Sequence, residues 1–170
     1  MWLTSSIPAE FREPGRVEEL LEQAIAAFQS TACEAPSLPH LSPTTFKTLY
    51  AFAYRFYRDG VYDKAADFFR FLCLMKLDEK KHWVGLGAAE HMRGNYDQAL
   101  QAYAMAALLD ASDPFPHFHA AECYVKQRDI TNAHRALDIA ERYATGNARR
   151  TQLRQHIALM RSQWPRTKES

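Results

Sequence analysis

Three stretches of the chain, LYAFAYRFYRDGVYDKAADFFRFLCLM, WVGLGAAEHMRGNYDQALQAYAMAALL and HFHAAECYVKQRDITNAHRALDIAERY, align with one another without a gap. Their central alanines, Ala65, Ala99 and Ala133, are 34 residues apart each time. The other positions keep that register: Leu49, Trp83 and His117; Phe52, Leu86 and Ala120; Ala53, Gly87 and Ala121; Gly60, Gly94 and Arg128; Tyr62, Tyr96 and Ile130; Phe69, Tyr103 and Leu137. A unit of this length cannot bury its own apolar face, so copies must stack on one another.

The period, with W-x-x-L-G and G-x-Y-x-x-A complete in the middle copy, resembles the tetratricopeptide repeat, a helix-turn-helix unit. Packing physics agrees with it. Small residues at Ala53, Gly87 and Ala121 on the first helix, and at Ala65, Ala99 and Ala133 on the second, allow close approach, while aromatics fill the space between units. Gly60 and Gly94 stand where the first helix must end in a left-handed residue. Arg128-Asp129 replaces the glycine in the third copy, so that turn is expected to be built differently.

Two extensions flank the repeats. In GRVEELLEQAIAAFQ, Val17, Leu20, Leu21, Ala24 and Phe28 fall at helical spacing with Glu18, Glu19 and Glu22 on other faces, an amphipathic helix. In NARRTQLRQHIALMRSQW, Leu153, Ile157, Met160 and Trp164 form one stripe, as in a helix that seals the last repeat. Between the first helix and the repeats, Pro36, Pro39 and Pro43 enforce an extended linker, and Ser42 is placed to cap the next helix. The expected fold is all-α: three tandem repeats over residues 46–145, preceded by a helix and Pro-rich linker over 1–45 and followed by a capping helix and tail over 146–170.

Charge excludes more than it suggests. Lys and Arg number 21 against 20 Asp and Glu, so no global field favours nucleic acid or an anionic membrane. No stretch approaches the roughly 20 apolar residues of a membrane span, and the first residues lack the basic start and apolar run of a leader. A cytoplasmic protein is expected. Cys33, Cys73 and Cys123 are far apart and form no C-x-x-C, which fits buried thiols rather than a disulfide or zinc framework.

The segment HFHAAEC places His117, His119, Glu122 and Cys123 within one short run, the vocabulary of a metal or nucleophile site. Register reassigns it: His117 takes the slot of Trp83, Ala120 that of Leu86 and Ala121 that of Gly87. With no further ligands at matching spacing, and no H-E-x-x-H, G-x-S-x-G or phosphate-binding glycine loop, the reading is no catalytic residue, no metal and no cofactor. The chain is expected not to be an enzyme.

Binding chemistry is instead expected on the first helix of each repeat, which lines the concave side of such arrays. Those positions are Tyr50, Tyr54, Tyr57 and Arg58; Lys81, Val84, Ala88, His91 and Met92; and Phe115, Phe118, Glu122 and Val125. Tyrosine supplies apolar area and a hydroxyl at small entropic cost, which suits an extended peptide with apolar and proline anchors. Arrays that clamp acidic chaperone tails need Lys and Asn where this chain has Tyr50 and Tyr54.

LY-x-x-A-x-x-x-Y-x-x-G-x-Y, the F-x-x-L run before Cys73, GLGA at Gly85 to Ala88 and F-x-HAAEC at Phe115 to Cys123 resemble the class II chaperones of bacterial type III secretion systems. That resemblance implies a cytosolic, non-enzymatic chaperone for hydrophobic translocator proteins, holding a client segment of the P-x-L-x-x-P kind in the concave groove. It implies pockets from Tyr50, Tyr54, Tyr57, Val84, Ala88, Phe115 and Phe118, with Lys81 and His91 at the edges. It also implies a homodimer formed through Val17, Leu20, Leu21 and Phe28, although packing of that stripe onto the chain's own first repeat satisfies the pattern equally. The linker PSLPHLSP itself approaches the client motif, so it is a candidate occupant of a groove. A repeat scaffold or regulatory adaptor for a transcription factor or secretion-apparatus component is the alternative function.

Overall fold

The computed structural model describes residues 43–146 and 148–164, and these form seven α-helices. Val17, Leu20, Leu21 and Phe28, the 36–42 part of the linker, Cys33 and the Ser42 cap lie outside the described residues. The chain divides into two compact units, Met1–Leu77 and Asp78–Ser170, a boundary that falls within the repeat region expected over 46–145.

The first unit contains α1 (Pro43–Arg58) and α2 (Tyr62–Met75). Both lack interior proline and glycine, and their apolar residues recur at three and four positions, so each presents one stripe to the other. Ala53, Ala65 and Ala66 are completely buried where the helices cross. Phe68 fills the space beside them, its ring 5.4 Å from Phe56 and 6.5 Å from Phe52. The Lys76 ammonium lies 4.7 Å from the Phe46 ring and clasps the ends of the two helices.

The second unit contains α3 (Lys80–Arg93), α4 (Tyr96–Leu109), α5 (Pro114–Lys126), α6 (Ile130–Tyr143) and α7 (Ala148–Gln163). Gly87 is indispensable to the α3/α4 pair. A Cβ added there would lie 2.6 Å from the Tyr103 ring, which is itself buried. The third copy meets the same demand by pairing Ala121 with the smaller Leu137 in one core. Leu153 and Ile157 of α7 close that core, and two further ties hold α7 down. Arg161 reaches Asp138 at 2.6 Å and Glu141 at 3.0 Å. The buried His134 donates from Nε2 to the Trp164 carbonyl at 2.8 Å, satisfying a group that a helix end leaves orphaned.

The turns inside the three repeats close identically, which overturns the expectation for the third. Gly60 N–H donates to Tyr57 C=O and Val61 to Phe56; Gly94 to His91 and Asn95 to Glu90; Arg128 to Val125 and Asp129 to Tyr124. This is the Schellman pattern, and it requires a left-handed residue. Gly60 and Gly94 have φ of 78° and 81°, and Arg128 adopts 64° despite its Cβ. Asp129 offsets part of the strain by accepting from the Asn132 N–H at 3.0 Å, which caps α6.

One ionic cluster spans the repeats of the second unit. Lys80, at the start of α3, donates to Asp110 and Asp113 at 2.8 Å each, and Asp113 also caps α5 by accepting from the Phe115 N–H. Bonds from Lys80 and Ser112 hold the Asp110 carboxyl at about 2. Partial burial pulls the Lys80 ammonium down, but its two carboxylate partners outweigh that and leave it raised.

Three outcomes follow from these contacts. Arg128→Gly should raise stability by about 1 kcal/mol, the usual cost of a left-handed non-glycine residue, as an upward shift of the thermal midpoint. Gly87→Ala should lower the midpoint, because overpacking costs about 1–3 kcal/mol against about 1 kcal/mol gained in helix propensity; Tyr103→Leu in the same chain should recover part of the loss. Asp110 has a depressed folded pKa, so its contribution is complete above about pH 4 and disappears as pH falls toward 2. Thermal melts of the wild type and Asp110→Asn should therefore differ at pH 6 and converge near pH 2.

Candidate functional site

The first-helix positions singled out in the sequence divide between the units. In the first, Tyr50, Tyr54 and Tyr57 recur at four and three residues along α1 and so share a face. Tyr50 is braced edge-on by Phe69 at 5.8 Å and Tyr57 by Tyr62 at 5.7 Å. Tyr54 stands between them with 51% of its surface exposed. Two half-buried rings thus hold their rotamers around one open ring, which spares a ligand much of the entropy of ordering them.

In the second unit, Lys81, Val84, Ala88 and His91 lie along one face of α3, with Met92 at its edge. Val84, Ala88 and His91 are half-buried, Met92 is 50% exposed, and Lys81 is exposed with Glu79 at 3.6 Å. The His91 ring packs against Tyr96 at 5.7 Å, and burial holds its imidazole below the usual histidine range against the pull of Glu122. From α5, Glu122 accepts from or pairs with His119 Nδ1 at 2.8 Å, both side chains about one third exposed. His119 in turn stacks on Tyr103 at 5.5 Å. A small polar cluster of His91, His119 and Glu122 therefore adjoins the apolar α3 face, able to bond the backbone or a polar side chain of an extended peptide.

The structure corrects Phe118, which is buried, and leaves Phe115 half-buried. Phe118 is only 8% exposed and packs into the core with Leu153 and Ile157 of α7, while His156 stacks on it at 6.5 Å. Phe115 leans on the same core and carries the Arg149 guanidinium 4.1 Å above its ring. The capping helix covers what an uncapped repeat would expose. His119, offered by the sequence only among the reactive residues of HFHAAEC, pairs with Glu122 beside the α3 face instead; its i, i+3 spacing to Glu122 was the available signal.

Packing separates Cys123 and His117 from the His119–Glu122 pair. Cys123 is buried with Ala99 and Tyr103, and burial pushes its thiol up to about 12. Cys73 is buried in the first unit and reaches about 12 for the same reason. His117 is half-buried, its imidazole lowered by burial against the pull of Asp113. Among the described residues no group of three or more His, Cys, Asp or Glu is placed to hold a metal ion. No helix among them is long and apolar enough to cross a membrane.

Helical hairpins repeating every 34 residues, with small residues at each crossing and an aromatic first-helix face, define a tetratricopeptide-repeat protein. The signature described as tetratricopeptide repeat matches residues 47–76 and 81–113. Low calcium response locus protein H of Yersinia pestis is 33% identical over 104 residues, covering 61% of this chain and 62% of that protein. The chain thus aligns with somewhat under two thirds of that relative's length. PcrH of Pseudomonas aeruginosa, solved with the chaperone binding region of PopB, is 33% identical with a TM-score of 0.68, covering 71% of this chain and 98% of that one. The type III secretion translocator chaperone SycD of Yersinia enterocolitica, solved as an alternative dimer, has a TM-score of 0.70 at 28% identity, covering 73% and 94%. The chain belongs to the type III secretion translocator chaperone family.

Proposed function

We propose that the chain is a chaperone for translocator proteins of a type III secretion system, acting in the bacterial cytosol by binding alone. It holds an extended client segment against the first-helix faces, keeping apolar client sequence from aggregating before export. The observation that carries the reading is the pairing of exposed large apolar side chains, Tyr54 and Met92, with pre-braced neighbours on those faces. Family membership supports it, since PcrH is solved with the chaperone binding region of PopB. Tyr50, Tyr54 and Tyr57 supply apolar contact, Val84, Ala88 and Met92 do so on α3, and Lys81, His91, His119 and Glu122 supply polar contacts. The protein works as a homodimer, for which the SycD dimer offers precedent, with Val17, Leu20, Leu21 and Phe28 as the dimerisation residues.

Capture of a translocator encoded beside this gene tests the assignment. Tyr54→Ala combined with Met92→Asp should weaken capture at least about tenfold, or about 1.4 kcal/mol, while the thermal midpoint stays within a few degrees because both side chains are exposed. Undiminished capture by that variant would show that the client binds elsewhere.

A further inference from the structure

A groove in the second unit is lined by none of the residues assigned to client contact. It opens between α4, α5 and α6, and its volume of ≈ 660 Å³ lies within the range of about 300–1,000 Å³ usual for small-molecule sites. Side-chain size explains why it is there. Ala104, Ala107, Ala120 and Ala136 face it, and residues that stop at Cβ cannot fill the space between three helices. Leu100, Leu108 and Ile139 wall the rest, Leu108 with 78% and Ile139 with 36% of its surface exposed. Apolar surface gathered around a hollow and left facing water is a mark of ligand-binding grooves.

The charge of the groove is one-sided. Arg135 and Arg142 line it from α6, and no carboxylate is among its lining residues. The two carboxylates of α6, Asp138 and Glu141, pair instead with Arg161 at 2.6 and 3.0 Å. Arg135 gives a hydrogen bond to the Asn132 side chain at 3.2 Å, whereas Arg142 is exposed about 10 Å further along α6. Arg142 takes the repeat slot of Leu108, 34 positions on, so both stand at the same end of the groove. A guanidinium fork there matches the two oxygens of a carboxylate. From that end the α4 wall runs about 12 Å back to Leu100, at about 1.5 Å per residue. An extended chain advances about 1.2 Å per bond, so roughly ten methylenes cover the wall. We propose that the groove binds a single-chain anionic amphiphile, a fatty acid of about this length, with its carboxylate on Arg142 and its alkyl chain laid along α4. The alkyl chain fills the space that the alanines leave, and the arginines set its direction.

Titration calorimetry of the full-length chain with sodium dodecanoate, kept below its micelle concentration, tests this, with thermal melting as the folding control. The wild type should take up one dodecanoate per chain saturably. Dodecyltrimethylammonium, which has the same alkyl chain and the opposite charge, should bind at least about tenfold more weakly. Arg142→Glu should weaken dodecanoate binding at least about tenfold, and Ala104→Phe, which places a ring in the groove from an exposed position, should do the same. Ala158→Phe, equally exposed on α7 but outside the groove, should bind as the wild type does. Absence of saturable binding by the wild type overturns the proposal. So does equal uptake of the cationic amphiphile, or dodecanoate binding that survives both Arg142→Glu and Ala104→Phe, since either would mean apolar adsorption without this site.

Discussion

The contact between Gly87 and the buried Tyr103 ring sets the separation of α3 and α4, and the rest of the second unit is arranged around it. A helix pair this close needs a missing or minimal side chain on one member and a large one on the other. Ala53 with its phenylalanine neighbours in the first unit, and Ala121 with Leu137 in the second, solve the same problem with different volumes. Because each crossing is filled by its own small and large residues, the outer positions of the first helices are released from packing duty. That freedom is what allows a tyrosine, Tyr54, and a methionine, Met92, to stand exposed there.

Polar chemistry in the second unit serves the same arrangement. Lys80 with Asp110 and Asp113 joins the starts of α3 and α5, and Asp113 and Asp129 each cap the helix they precede. These groups sit at helix ends and loops, where they satisfy orphaned backbone donors without entering the apolar crossings. The pair His119 and Glu122, in contrast, lies mid-helix beside the α3 face and has no capping task.

Much of the fold was legible because its determinants are periodic. Ala65, Ala99 and Ala133 announce the helical crossings at a fixed interval, and the stripe of Leu153, Ile157 and Met160 announces a capping helix. What the sequence hid were consequences of contacts distant in the chain. Phe118 follows the first-helix pattern, but whether it is open depends on α7, more than 30 positions on, folding over it. Arg128 looks like a broken motif, yet the backbone bonds of the turn, with the cap from Asp129, hold an arginine in a conformation that glycine would adopt unaided. The groove walled by Leu108 and Ile139 was equally invisible, since it is assembled from three helices none of which is conspicuous alone.

The deep burial of Cys73 and Cys123 has a redox consequence. Thiols raised to about 12 have, at neutral pH, only about one molecule in 10⁵ in the thiolate form that attacks disulfides and peroxides. The two sulfurs are also placed inside separate compact units, each enclosed by its own helix pair. These cysteines therefore serve as packing atoms of the repeat core, shielded by burial from the thiolate chemistry of an exposed cysteine.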